Sequence, residues 1–234
     1  MSQSASDALQ VTDRTRVRRH PERGVFDRAA LYTILDEGFV CHIAFAVDGQ
    51  PYAIPTGYAR LGDALYLHGS AASRMVRQLS SGLEVCVTVT LVDGLVLARS
   101  VFEHSVNYRS AMVYGRSQLV SDAAEKLVAL RAVTDHVCPG QWNYARRPSK
   151  KELAATTVIA LPLQEASSKV RDSGPGDSDG PDRDLPIWAG VLPIHTLFGT
   201  PIDDPAAARP IDTPAHVSGL VGLATEDRRA PLQR

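Results

Sequence analysis

Ser70, Ser73 and Arg74 place two hydroxyls and a guanidinium directly after a strand-like run, in the order Leu65-Tyr66-Leu67-His68-Gly69-Ser70-Ala71-Ala72-Ser73-Arg74. Where a helix begins after such a run, its first amides lack intrahelical acceptors and carry the positive end of the helix dipole. These side chains can therefore converge on one phosphate. The same residues also suit an ordinary capped helix with Ser70 at the N-cap and Arg74 in solvent. His68, just upstream, adds an imidazole that titrates near neutrality. A second polar cluster, Glu103-His104-Ser105-Val106-Asn107-Tyr108-Arg109-Ser110, leads into Met112-Val113-Tyr114-Gly115. Donors at this density between apolar runs are costly to bury without partners; a bound polar ligand satisfies them, and so does a wet loop.

The elements that must position these groups are strands and short helices. Asp27 caps a helix over residues 28–36, with Leu31, Ile34 and Leu35 on one face and Gly38 at its end. From Phe39 the period becomes that of strands. Residues 39–47 and 51–59 flank an Asp48-Gly49 turn, Gly62-Asp63 turns into residues 64–68, and a helix over 71–80 stops at Gly82. Residues 83–92, an Asp93-Gly94 turn, residues 95–101 and residues 110–120 supply further strands. Asp122 then caps a helix over 123–137, with Leu127, Leu130, Val133 and Val137 at core spacing. A polar loop with Trp142, Arg146 and Arg147 leads to one helical turn at 149–153 and a last strand at 156–163. The expected fold is mainly β with a few flanking helices: a six-stranded antiparallel split barrel, closed or nearly so, because an open sheet of that size leaves costly edges.

The organisation follows from composition. Residues 1–13 are expected to be disordered, 14–166 to form the barrel domain, 167–184 a flexible loop rich in Ser, Gly, Asp and Pro, 185–198 an apolar segment that docks back, and 199–234 a loosely ordered tail. The basic arm from Arg14 through His20 and Arg23 to Gly24 reads as a solvated lead-in, the alternative being a phosphate or nucleic-acid contact. With 25 basic and 26 acidic residues, no global field points to nucleic acid or an anionic membrane. No apolar run is long enough to span a bilayer. Cys41, Cys86 and Cys138 are far apart, form no Cys-x-x-Cys pair and read as buried thiols of a reducing compartment, so no metal site and a cytoplasmic location are expected.

The ordered set Pro55-Thr56-Gly57-Tyr58, His68-Gly69-Ser70 with Ser73-Arg74, His104-Ser105, Asn107-Tyr108-Arg109-Ser110 with Tyr114-Gly115, and Leu185-Pro186-Ile187-Trp188 resembles the pyridoxamine 5′-phosphate oxidase-like flavin-binding split barrels. Within these it is similar to the branch of flavin-nucleotide-binding proteins and 5-nitroimidazole resistance reductases. The resemblance implies a homodimer with FMN at the subunit interface. Ala53, Ile54, Pro55, Thr56, Gly57 and Tyr58 would border the flavin ring, Ser73 and Arg74 would hold the phosphate with Ser70, and His68 and Gly69 would lie beside them. Ser110 would reach the isoalloxazine, His104, Ser105, Asn107, Tyr108 and Arg109 would line the site, and Trp188 would close it from the partner subunit. His68 is the implied catalytic residue. The Arg and His signature of true pyridoxamine phosphate oxidases is not visible after Trp188, where the first such residues are His195 and, much later, Arg209. Vitamin B6 oxidation is therefore not expected. The implied activity is FMN-dependent oxidoreduction of a small flat molecule such as a nitroaromatic, the alternative being a flavin-binding module without turnover. Related barrels that hold haem or the deazaflavin F420 leave two other cofactors open, haem taking His42, His68 or His104 as its axial ligand and F420 a more extended basic groove.

Overall fold

The computed structural model describes residues 8–228 of the 234-residue chain. The expectation of a disordered start therefore falls, at residues 1–7, outside the described residues. In chain order the strands are β1 (Gly24–Val25), β2 (Val40–Val47), β3 (Gln50–Leu61), β4 (Ala64–Ser70), β5 (Glu84–Leu97), β6 (Ser105–Arg116), β7 (Gln118–Leu119), β8 (Thr156–Pro162), β9 (Glu165–Arg171) and β10 (Gly190–Pro193). The helices are α1 (Arg28–Glu37), α2 (Arg74–Ser80), α3 (Ala123–Val137), α4 (Gln141–Tyr144), α5 (Lys150–Ala155) and α6 (Ala215–Ser218). The chain forms two compact units: one of residues up to Thr56, Glu84–Arg116 and Pro162–His195, the other of Gly57–Leu83, Ser117–Leu161 and residues from Thr196.

In the first unit the antiparallel order is β1-β9-β6-β5-β2-β3. The Asp48-Gly49 turn is present, with φ of 50° and 76°, the positive pair that a tight hairpin requires. Helix α1 starts where the Asp27 carboxylate accepts from the Ala30 amide at 2.9 Å, and it buries Leu31, Ile34 and Leu35 as its period predicts. The expected Asp93-Gly94 turn is not a turn. Strand β5 runs straight through it, and the register on β6 slips between Val92 and Gly94, a bulge that turns the Asp93 side chain out of the ladder. Gly94 is needed for another reason: a Cβ there would stand 3.1 Å from the Leu192 carbonyl oxygen and 3.1 Å from Val191 Cγ1.

Those two residues belong to β10, which pairs with β5 from Gly94 to Leu97, while β2 pairs with β5 from Val85 to Thr88. The 185–198 segment thus docks on its own sheet, end to end with β2. The loop expected at 167–184 begins late, because residues 165–171 form β9 against β6. Ser167 and Ser168 are buried there, small hydroxyls whose backbone is satisfied by the ladder. The basic arm is not solvated throughout: Arg14 pairs with Glu165, reaches Glu84 at 3.4 Å and lies over the Tyr114 ring.

In the second unit the order is β3-β4-β8-β7, with Tyr66, Val120, Ala129, Val158 and Ala160 in one core cluster. The Tyr66 hydroxyl donates to Glu125 at 3.0 Å. Helix α3 is capped by Asp122 as expected, but its buried face is Ala129, Val133 and His136, with Leu127 and Val137 exposed. The reason lies in the tail. The far end of the tail is held: Leu197 bridges to Ala224, and Arg228, 1% exposed, brings Nη2 to 3.1 Å from His136 Nε2, while residues 202–213 stay exposed. Tyr58 packs its ring 5.2 Å from that imidazole.

Among the described residues the fold is mainly antiparallel β with a few helices, as expected, but it has ten strands rather than six and does not close into a barrel. The polar β9, the short β1 and β7, and β10 beyond a linker-like stretch carry little apolar alternation, the signal from which strands are read. No described helix is long and apolar enough to cross a membrane.

Candidate functional site

In the second unit, β4 hands over to α2 at the first motif. Ser73, not Ser70, is the N-cap of α2, and its hydroxyl makes no capping bond. The Ser70 hydroxyl instead accepts from the Ala72 amide at 3.2 Å, and the Ser70 carbonyl accepts from the Ser73 amide at 2.8 Å. The turn is therefore held by its own backbone, with the Ser73 hydroxyl and the exposed Arg74 beside amides that have no intrahelical acceptor. Gly69 is required for this close handover: a Cβ there would meet Val76 Cγ2 at 2.7 Å. A phosphate fits these donors, which are the hydroxyl, guanidinium and helix-start amides of an oxyanion site.

His68, one residue earlier, opens into a cleft of about 310 Å³ lined also by Leu130, Thr134, Trp142, Arg146 and Leu153. The volume lies within the roughly 300–1,000 Å³ of small-molecule sites. His68 stands at an exposed position of β4, and partial desolvation at the cleft lowers its pKa, which favours the uncharged ring, the form that ligates a metal. Arg146 is already bound to Glu152 by two bonds of 2.7 and 2.9 Å, and Arg147 lies 5.0 Å from the Trp142 ring centroid. Tyr58 is buried, so only its backbone is offered to a ligand.

In the first unit, the alternation of β3 leaves Ala53 and Pro55 exposed and Ile54 and Thr56 half-buried, a surface of small side chains suited to a flat ring. Gly57, the next exposed position and part of the second unit, has no atom within 4 Å of an added Cβ. Around β6 the expected site residues separate. Asn107 is buried and bonded to Arg171. Arg109 donates to Asp93 at 2.7 Å and to Glu37, so its charge is taken up inside the fold. Those two carboxylates raise its pKa further. Ser110 donates to the Lys169 carbonyl at 3.3 Å and lines a cleft of about 210 Å³ with Met112, Ser167 and the arm from Arg14 to Arg19. His104, Ser105 and Tyr108 line a larger cleft of about 660 Å³ with Arg19, Arg23, Lys169 and Arg171. Trp188 is 67% exposed.

The three histidines considered for haem now differ. His104 accepts from the Ala98 amide at Nδ1 (3.1 Å), which leaves its proton on Nε2 and no lone pair there for a metal. His42, on β2, is exposed like His68 but lines none of these clefts. His68 retains both a cleft and a lone pair. Among the described residues, no group of three or more His, Cys, Asp or Glu is placed to hold a bare metal ion.

Sequence reasoning missed Lys169 and Arg171, because they sat in a segment read as linker, and Leu130, Thr134 and Leu153, whose spacing suits any helix core. Trp142 and Arg146 stood out only as a polar loop.

A family model described as Pyridoxamine 5′-phosphate oxidase matches residues 27–170. No protein of curated function matches the sequence at a significant level. Among solved structures, a flavocytochrome from Azotobacter vinelandii is 38% identical, covers 90% of this chain and 98% of its own, and superposes with a TM-score of 0.83. An FAD and haem binding protein from Mycobacterium smegmatis is 37% identical over 87% of this chain and 98% of its own, with a TM-score of 0.82. A candidate 5-nitroimidazole antibiotic resistance protein from Bacteroides thetaiotaomicron is 23% identical, covers 63% of this chain and 86% of its own, and has a TM-score of 0.50, a likeness of fold alone.

Proposed function

Because the chain belongs to the pyridoxamine 5′-phosphate oxidase family, over residues 27–170, and so to flavin-binding split barrels, we propose that it is a flavin-dependent redox protein that also carries haem on His68. The observation that carries the haem half is the His68 cleft: one neutral imidazole at the edge of a small-molecule-sized cleft with Leu130, Leu153 and Trp142 around it. Two relatives at 37–38% identity point the same way, one a flavocytochrome and the other an FAD and haem binding protein.

The flavin supplies hydride and one-electron transfer, and haem supplies one-electron chemistry. This chain's residues bind and orient. Ser73 and Arg74 hold the flavin phosphate, FMN being the form the motif order implies. The exposed backbone from Ala53 to Gly57 borders the ring, and Ser110 offers a hydroxyl. Two subunits pair so that Trp188 of each covers the other's flavin, and the acceptor is a small flat molecule. The free thiols Cys41, Cys86 and Cys138 suit the cytoplasm.

Absorbance of the purified protein, followed by acid release and mass analysis of the supernatant, tests both halves. The expected result is flavin bands plus a Soret band. In the His68→Ala variant the Soret band is lost and the flavin retained. A colourless protein reconstituting with neither cofactor overturns the proposal, and a Soret band unchanged in His68→Ala overturns the ligand assignment.

A further inference from the structure

The 660 Å³ cleft of the first unit contains a buried guanidinium that no carboxylate bonds. Arg171 is 6% exposed. Its guanidinium donates to the Asn107 amide oxygen, to the Ser173 carbonyl at 2.8 Å and to the Gly174 carbonyl at 3.0 Å, while its Nε has no partner. All of these acceptors are neutral. A buried cation without a counter-charge is strongly unfavourable, and protein interiors ordinarily supply a carboxylate. Desolvation and the nearby Arg23 cation accordingly push the Arg171 pKa down, which the Asp172 carboxylate only partly offsets.

The surroundings add positive charge. Arg19, Arg23 and Lys169 line the same cleft. Lys169 donates its ammonium to the Arg19 carbonyl at 3.1 Å, and Arg23 reaches Glu22 only at 3.7 Å. Glu103 is the one carboxylate lining the cleft, and with Glu22 and Asp172 nearby three carboxylates stand against four basic side chains. An anionic ligand restores balance. The loop that holds Arg171 is fixed in advance: the Asp177 carboxylate accepts from the Arg99 amide at 2.6 Å and the Ser100 amide at 2.9 Å, tying down the segment whose Ser173 and Gly174 carbonyls accept from Arg171. Phe102, 88% exposed, stands at this cleft with Tyr108, two rings available to stack on a base.

We propose that the Arg171 cleft binds the phosphate groups of a nucleotide, with Arg19 and Lys169 at its mouth and Phe102 against the base. The cleft is too large for inorganic phosphate alone and has the aromatic surface that a free oxyanion does not use. The inference stands apart from the His68 and Arg74 assignments, none of whose residues it employs.

Isothermal titration of the full-length protein, as purified with its cofactors, with ADP, pyrophosphate and adenosine tests it. ADP should bind saturably and more tightly than pyrophosphate, adenosine should bind weakest, and added salt should weaken ADP. Lys169→Ala and Arg19→Ala, whose side chains carry no buried contact, should each cost roughly tenfold in ADP affinity, and Phe102→Ala should bring ADP down to the level of pyrophosphate. Arg171→Gln should abolish ADP binding, with circular dichroism reporting whether that variant folds. Two sources of the nucleotide are separable: ADP that displaces a released FAD identifies the flavin's own adenylate half, and ADP that binds beside a retained flavin identifies a separate nucleotide. Flavin-free protein that still binds ADP removes the flavin reading and keeps this one. Absence of saturable ADP and pyrophosphate binding, or ADP binding indifferent to both Lys169→Ala and Arg19→Ala, overturns it.

Discussion

Replacing Arg109 by methionine separates a structural cation from a cofactor ligand. Its side chain is 25% exposed and bridges Glu37, 9% exposed, and Asp93, 33% exposed. The Asp93 arm is close to a surface pair and contributes about 0.5–1 kcal/mol. The Glu37 arm is buried, and removing one member of such a pair costs roughly 3 kcal/mol because the remaining carboxylate loses its guanidinium. The sum, about 3–4 kcal/mol, corresponds in a chain of this size to a fall of roughly 10 °C in thermal midpoint. Circular dichroism melts give that number, and flavin released per folded protein gives the other. The expected result is a large loss of stability with flavin content unchanged below the transition. Adding Glu37→Gln to Arg109→Met should recover part of the loss, since the carboxylate charge that faced the guanidinium is then gone. A variant that melts like the parent but no longer retains flavin would refute the reasoning and return Arg109 to the cofactor.

Arg74→Ala should weaken flavin retention by about 1.5–3 kcal/mol, measured by equilibrium dialysis, because a charge-assisted bond to phosphate is lost; unchanged retention removes the phosphate from α2. Gly69→Ala should destabilise by roughly 1–3 kcal/mol through the forced contact with Val76, read as a lowered denaturant midpoint. Burial holds the His68 imidazole below its ordinary value of 6.5, so its neutral form stabilises the fold above that pH, and the contribution is lost as pH falls through the lower folded value. In haem-free protein the thermal midpoint should therefore decline as the pH falls below 6.5, with a shallower slope in His68→Gln. The buried Cys41 thiol, its pKa pushed up to about 12, should resist an aromatic disulfide reagent in the native state while Cys86 and Cys138 react.

Local chemistry was readable from the chain wherever it is set by neighbours in sequence. Asp27 and Asp122 cap the helices they were expected to cap, and Asp48-Gly49 and Gly62 turn the hairpins. What escaped is set by distant partners. Asp93-Gly94 carries a turn's signature, yet Gly94 is small because Leu192 lies against it, and Asp93 is turned out toward Arg109. Ser167, Ser168, Lys169 and Arg171 look like linker because polar residues in a buried strand give no alternation; β6 draws them into the sheet. His68 and the two serines of its motif were visible in order, but only the placement of Leu130, Trp142 and Leu153 beside that imidazole distinguishes it from His42 and His104.

The arrangement of β2 and β10 along one side of β5 has a consequence for how molecules of this protein meet one another. A strand flank left bare is an adhesive template on which a second chain can polymerise. Here the stretch from Gly94 to Leu97 is sealed by the chain's own Gly190–Pro193, so a cut or deletion upstream of Gly190 that frees that seal should convert a well-behaved solute into one that self-associates.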